Sequence, residues 1–279
     1  MYEDITYEVD GPSAVITLNR PDKLNALTRR MLAEIRHALC TAEADEAVTG
    51  AIITGAGRGF CAGMDMQALS SLGDAGGTGS RVDEDYGLDC EPGDANMGPD
   101  FSHALTYIMS LRKPVIAVVN GPCAGMGLSL AALCDMRFAA EDSVFMAAFS
   151  QRGLVAEHGL SWILPRIMGP DRALDILWSS RRVRGAEAMQ MGLATRCVAT
   201  DSALQEAKDY IANLAATTAP VSLMRMKRQV WMQMMQGLDD AMQQTNDLMN
   251  KSTSQDDFKE GVKAFLEKRP PEFAKIKVG

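Results

Sequence analysis

Hydrophobic and polar positions alternate at the start of the chain. Residues 5–10, ITYEVD, and 13–20, SAVITLNR, carry the period of two expected of strands and flank Gly11-Pro12, which reads as a hairpin turn. The period then lengthens. Met31, Leu32, Ile35, Ala38 and Leu39 recur at helical spacing behind Thr28, a good N-cap, with Leu27 and Leu32 placed to staple the entry. TGAIITGAG (49–57) predicts a buried strand running into a glycine turn. Residues 70–100 lose all periodicity and are dominated by Gly, Asp and Ser, which predicts a long mobile loop. Order returns with HALTYIMSLR (103–112) as a helix, and KPVIAVVNG (113–121) as a strand of β-branched residues. AGMGLSLAALCD (124–135) then reads as a glycine turn opening an apolar helix, and MRFAAEDSVFMA (136–147) as two short strands. From Ser161 onward the pattern is almost wholly helical. The stretches 201–218 and 220–250 are amphipathic, and the second holds many of the 19 methionines, whose stripe predicts core or subunit interface rather than a ligand groove.

These elements describe one α/β core, residues 1–200 with the 70–100 loop inside it, followed by a helical region over 201–279. A chain of 279 residues can bury a substantial core, and 47% hydrophobic with 23% charged residues is ordinary for a globular protein. The net charge of −8 argues against nucleic acid as a partner, since that needs a basic face. The acidic, alternating first residues do not read as a targeting segment, and no apolar run is long enough to span a membrane. Cys40, Cys61, Cys90, Cys123, Cys134 and Cys197 form no CxxC pair. They read as small buried side chains of a reducing compartment, with neither disulfide nor metal site, so the cytoplasm is the expected location.

Two segments share one physical form. In GRGFCAGMDM (57–66) and NGPCAGMGLSLAALCD (120–135) a strand ends, small residues turn, and a helix begins. Glycines permit the tight turn, and helix N-termini leave backbone donors unpaired, so each segment can offer an N–H to one shared pocket. Two such donors on one oxygen would make an oxyanion hole, at about 2.7–4 kcal/mol of transition-state stabilisation per donor. Either turn alone is equally well explained by close helix packing.

The pair FCAGMD and VNGPCAGMGLSLAALCD resembles the crotonase superfamily (the enoyl-CoA hydratase/isomerase family). The resemblance extends to PDKLNALTRRML near the start and EGVKAFLEKRPPEF near the end, and spans the chain apart from 70–100. It implies a spiral of ββα units, assembly as a homotrimer or hexamer, and acyl-CoA thioesters as substrates, with coenzyme A arriving as part of the substrate and no separate cofactor. It implies that Met64 and Met126 supply the two oxyanion-hole N–H groups. It also implies that Phe265 and Lys268 of AFLEK grip the nucleotide end of CoA, making 201–279 a region of trimerisation and CoA capping. An ordinary amphipathic terminal helix explains the same two residues.

The hydratases of this family use two glutamates to hold and deprotonate water and return a proton to carbon. This chain has Ser129 and Phe149 at those positions. Glu157 stands where the resemblance to enoyl-CoA and dienoyl-CoA isomerases implies a single acid, and moving a double bond needs only one base and no activated water. Phe149, Leu154, Val155 and Leu160 would keep that site dry if they line it, and a dry carboxylate is a stronger base. The competing reading of Glu157 is an acid favoured by the dipole of the helix that follows. His158 could tune Glu157 or act as a second acid/base, against a cap or surface role, since neighbours on a helix diverge. Ser129 could bind substrate or simply pack. Asp83, Glu84, Asp85 or Asp89 could supply a second carboxylate from the loop, and Arg58 could meet a CoA phosphate or cap its turn. The expected activity is therefore double-bond isomerisation of an enoyl-CoA. The alternatives are hydratase or hydrolase chemistry on an unusual acyl-CoA, or a non-catalytic acyl-CoA-binding protein.

Overall fold

A computed structural model of the chain describes residues 2–65 and 86–276. The hairpin forms as the alternation predicts: strands β1 (Ile5–Asp10) and β2 (Ser13–Leu18) pair antiparallel, Ile5 opposite Leu18 and Asp10 opposite Ser13. Helix α1 (Arg29–Ala44) follows, and the Thr28 side chain accepts the Met31 N–H at 2.9 Å. Strands β3 (Gly50–Gly55), β4 (Val115–Val119), β6 (Met136–Ala140) and β9 (Arg196–Val198) extend the sheet in parallel, in the order β1-β2-β3-β4-β6-β9. A smaller sheet is built from β5 (Pro122–Ala124), β7 (Val144–Met146) and β8 (Val183–Arg184).

The two sheets are filled in step. β4 enters the large sheet, β5 the small one, and helix α3 (Met126–Leu133) closes the unit; β6, β7 and helix α4 (Leu160–Met168) repeat the pattern. Before them, β3 is followed by Cys61, which bridges Cys123 of β5 in parallel, and Leu27 bridges Met64 in the same way. This is the spiral of ββα units that the resemblance implies. Residues of the large sheet alternate between its faces, as the pleat requires. Ile53, Ala117 and Val119 enter the main core with Met31 and Ile35 of α1. Val15, Ile52, Ile116 and Phe138 form a second cluster with Ala203, Ala207 and Ile211 of helix α7 (Ala203–Thr217), so the first helix of the 201–279 region is part of the core.

Between these lie the short helices α2 (Tyr107–Ser110), α5 (Pro170–Ser179) and α6 (Gly185–Met191). After α7 come α8 (Pro220–Gln233), α9 (Leu238–Thr253) and α10 (Asp256–Glu267). The expected helix at 103–112 is thus a single turn, and the helical run from Ser161 is interrupted by β8 and β9. The stretch 220–250 breaks in two at Gly237, the N-cap of α9. Helix α8 is fastened to the large sheet by charge: Lys227 Nζ donates to Asp135 at 2.7 Å and Trp231 Nε1 donates to the other oxygen of the same carboxylate at 3.0 Å. Asp135 also accepts the Val115 N–H at 2.7 Å, so this anchor holds the first residue of β4.

Of the 70–100 stretch, 70–85 lies outside the described residues, and with it Asp83, Glu84 and Asp85. The described remainder contains two short 3-10 turns. Asp94 caps a single 3-10 turn at Ala95–Met97, a second follows at Pro99–Phe101, and Met97 and Phe101 are buried. Among the described residues, no helix is long and apolar enough to cross a membrane.

Candidate active site

The C-terminal ends of β3 and β4 bring the two glycine turns together. Cys61 N–H donates to Pro122 O at 3.0 Å and Ala124 N–H to Cys61 O at 2.9 Å, so the turns run side by side as strands do. Their contact leaves no room for side chains. A Cβ on Gly127 would stand 2.5 Å from Cys61 O, and one on Gly121 2.1 Å from Arg58 O. Gly63 (φ 103°) and Gly125 (φ 53°) hold backbone conformations that L side chains rarely adopt.

The Met64 N–H is aimed by its neighbours. Leu27 N–H donates to Gly63 O at 2.7 Å and Asp65 N–H to Leu27 O at 2.9 Å. In extended backbone those two groups face one side and the N–H of the residue between them faces the other, so the Met64 N–H points away from Leu27. On that other side lies Gly125, whose N–H donates to Met146 O at 3.1 Å and which opens α3 with Met126 as first residue. The Met126 nitrogen is 3.6 Å from where a Cβ on Gly63 would sit. Among the described residues, neither the Met64 nor the Met126 N–H donates to a backbone carbonyl.

The segment that holds Met64 in place is PDKLNAL, seen in the sequence only as part of a resemblance. Buried Asn25 donates to Ala56 O at 3.0 Å and to Gly59 O at 2.8 Å, while its own oxygen accepts the Arg20 N–H at 2.9 Å. Arg20 reaches Asp65 at 3.1 Å, one residue beyond Met64. Asn120 likewise ties the turns, donating to Gly55 O at 2.9 Å and Gly57 O at 3.1 Å. The sequence signal for Asn120 is an amide side chain at the mouth of a glycine turn, whereas Asn25 has no glycine near it in the chain.

Ser129 and Phe149 are buried, and among the described residues the Ser129 Oγ has no hydrogen-bond partner. Glu157 is not in the first turn of a helix. It begins a tight turn in which His158 (φ 53°) and Gly159 (φ 82°) are both left-handed, and α4 starts only at Leu160. That geometry corrects the expectation that the neighbours diverge: His158 Nε2 lies 3.8 Å from a Glu157 carboxylate oxygen. Burial pulls the His158 imidazole below its usual pKa, outweighing the opposite pull of Glu157. The turn rests on Leu133 of α3 and on Thr106, whose side chains would be 3.8 Å from a Cβ on Gly159. Leu133 is the last residue of α3 and Met126 its first. Leu160 and Phe149 are buried, but Leu154 and Val155 are 38% and 77% exposed.

Phe265 is 83% exposed on α10 and Lys268 is the left-handed cap of that helix. Among the described residues, no hydrogen bond or ion pair joins either of them to the glycine turns. A cavity of about 480 Å³ lies at the opposite end of the large sheet, where Pro12, Thr49 and Pro114 precede β2, β3 and β4, with Lys113, Phe273 and Lys275 in its wall.

Comparison with known proteins agrees with this architecture. The sequence model of the enoyl-CoA hydratase/isomerase family matches residues 11–276. The 1,2-epoxyphenylacetyl-CoA isomerase of Escherichia coli K12 is 31% identical, over 98% of this chain and 99% of its own. The peroxisomal Delta(3,5)-Delta(2,4)-dienoyl-CoA isomerase of Arabidopsis thaliana is 34% identical, over 98% of this chain and 97% of its own. Among solved structures, an enoyl-CoA hydratase from Polaromonas sp. JS666 superposes with a TM-score of 0.83 at 28% identity, covering 97% of this chain and 99% of that one.

Proposed function

Since the chain belongs to the enoyl-CoA hydratase/isomerase family, we propose that it shifts a double bond within an enoyl-CoA, with Glu157 as its only carboxylate base. The observation that carries this reading is the pair of backbone N–H groups, Met64 and Met126, that have no backbone acceptor among the described residues, together with a glutamate on the turn that packs against the far end of α3. The Glu157 carboxylate removes a proton from the carbon beside the conjugated system. The electron pair moves toward the thioester oxygen, where the Met64 and Met126 N–H groups stabilise the developing charge. Protonated Glu157 then returns the same proton two carbons away, so the product keeps the mass of the substrate. Ser129 and Phe149 support this chemistry over hydration, since neither can deprotonate water. As lining of the acyl site, both bear on which chains fit.

The exposed apolar side chains of the C-terminal helices support assembly with further copies of the chain. Met226 and Val230 on α8, Met242 and Met249 on α9, and Phe265 and Leu266 on α10 are each more than 40% exposed, an arrangement suited to a subunit interface. We assign this face to a homotrimer or hexamer. In that assembly Phe265 and Lys268 would serve the CoA nucleotide.

A second reading is hydration of an unusual acyl-CoA, favoured by His158 standing 3.8 Å from Glu157 as a partner for holding water. A paired assay separates the two. A 3-enoyl-CoA and its 2-enoyl isomer are each incubated with the protein and the products are weighed by mass spectrometry. Isomerisation predicts a 2-enoyl product of unchanged mass from the first and no water added to the second. Water gained by the second substrate would select the hydratase reading. No product from either would select a binding role.

A further inference from the structure

The residues just before the 3-10 turns run along one face of α1. The Arg30 guanidinium lies 4.9 Å from the Tyr86 ring centroid, Arg36 is 3.8 Å from Glu91, and Glu43 accepts the Gly93 N–H at 2.8 Å. On a helix, residues three and four apart share a face. Arg36, Cys40 and Glu43 therefore stand in one row, and the chain opposite them offers Cys90, Glu91 and Gly93. The ion pair joins Arg36 to Glu91 and the hydrogen bond joins Glu43 to Gly93, so Cys40 stands between the two links and Cys90 one residue before the first. Both cysteines are free and half-buried, and the Cys90 thiol helps to raise the Cys40 pKa. The other cysteines differ: Cys61, Cys123 and Cys134 are buried, and Cys197 is on β9.

We propose that Cys40 and Cys90 are a redox-responsive pair whose oxidation by hydrogen peroxide closes a disulfide between α1 and the segment 86–93. This differs from the expectation of uniformly inert, buried cysteines. In the first step Cys90 sulfur attacks the peroxide oxygen, breaking the O–O bond to give a sulfenic acid and water. In the second, Cys40 sulfur displaces that hydroxyl, forming the S–S bond and releasing a second water. Two thiols lose two hydrogens and one peroxide is reduced. Burial and the neighbouring thiol hold the Cys40 proton firmly, which suits Cys40 to the second, displacing step. Because Cys40 must shed its proton to attack, closure quickens as pH rises.

The test uses the full chain, treated with hydrogen peroxide, quenched, denatured and alkylated. Of the six cysteines, six take alkyl groups before treatment and four afterwards. A non-reducing digest yields a peptide joining Cys40 to Cys90 that a dithiol reductant splits. Cys40→Ser or Cys90→Ser abolishes that peptide, while Cys197→Ser leaves it intact. Six alkylated thiols after treatment would overturn the proposal. So would a disulfide between chains or one involving Cys197, or a Cys90 sulfinic acid with Cys40 still alkylatable.

Discussion

At the N-terminal ends of β3 and β4, cations are tied down by several bonds each, whereas at the C-terminal ends two backbone donors are left without a partner among the described residues. Lys113 donates to Ala42 O and Asp45 O, Lys227 to Asp135, Ile108 O and Lys113 O, and Arg112 to Gly93 O and Glu43. Met64 and Met126 at the other end hold their N–H groups ready beside glycines that clear the space. Both ends are polar, and the cavity with lysines in its wall is at the saturated end. A polar group whose hydrogen bonds are complete stabilises the fold, and one left open in a shaped site is available to a ligand. The contrast predicts that substitutions at one end change stability and at the other change turnover.

The largest effect falls on turnover. Glu157→Gln is expected to lower isomerase kcat by about 100- to 10,000-fold, the range of general acid–base catalysis, while CoA affinity stays within a few-fold and the melting temperature is unchanged. Kinetics and calorimetry on the same preparation check it, and equal turnover in variant and parent would end the single-base mechanism. The saturated end should behave in reverse. Lys227→Met strips the counter-charge from Asp135, whose carboxylate is already enclosed by Val115 and Trp231. Breaking such a buried pair costs about 3–5 kcal/mol of stability, read by denaturant unfolding, with turnover at low temperature kept within a few-fold. Gly127→Ala is intermediate, because its Cβ would fall 2.5 Å from Cys61 O in the contact between the turns. Overpacking there costs about 1–3 kcal/mol. As the shift also moves Met126, kcat should fall with stability, the one case in which both readouts respond.

The comparison also explains what the sequence could and could not tell. The β1–β2 hairpin, the Thr28 cap and the glycine turns were legible because each depends on residues close together in the chain. Asn25 escaped notice because its partners Ala56 and Gly59 are more than thirty residues away and its motif was seen only as a likeness. The shortness of α2, within the helix expected over 103–112, and the strands β8 and β9 were not legible because tertiary pairing, and not local pattern, decides elements of that length. The packing of 93–101 was hidden by its glycine- and aspartate-rich composition. There Asp94 caps a turn and is paired with Arg228 of α8, a bond between distant segments that no local period records.

The smallest predicted effect belongs to His158, which probes the border between the two kinds of region. Its left-handed φ of 53° places the imidazole beside the Glu157 carboxylate, and burial makes the charged form less favourable than in the unfolded chain. A histidine whose folded pKa is depressed contributes stability above its unfolded pKa of about 6.5 and loses it as pH falls through and below that value. Chemical unfolding followed from pH 7.5 to 5 should therefore show parental stability declining more steeply than that of His158→Gln. If His158 also serves the reaction, the variant's pH–rate profile changes shape. If it only closes the turn, turnover changes by the same factor at every pH. Identical unfolding curves for both proteins at each pH would mean that the imidazole is no more buried than in the unfolded chain, and the Glu157 turn would then be open to water on that side.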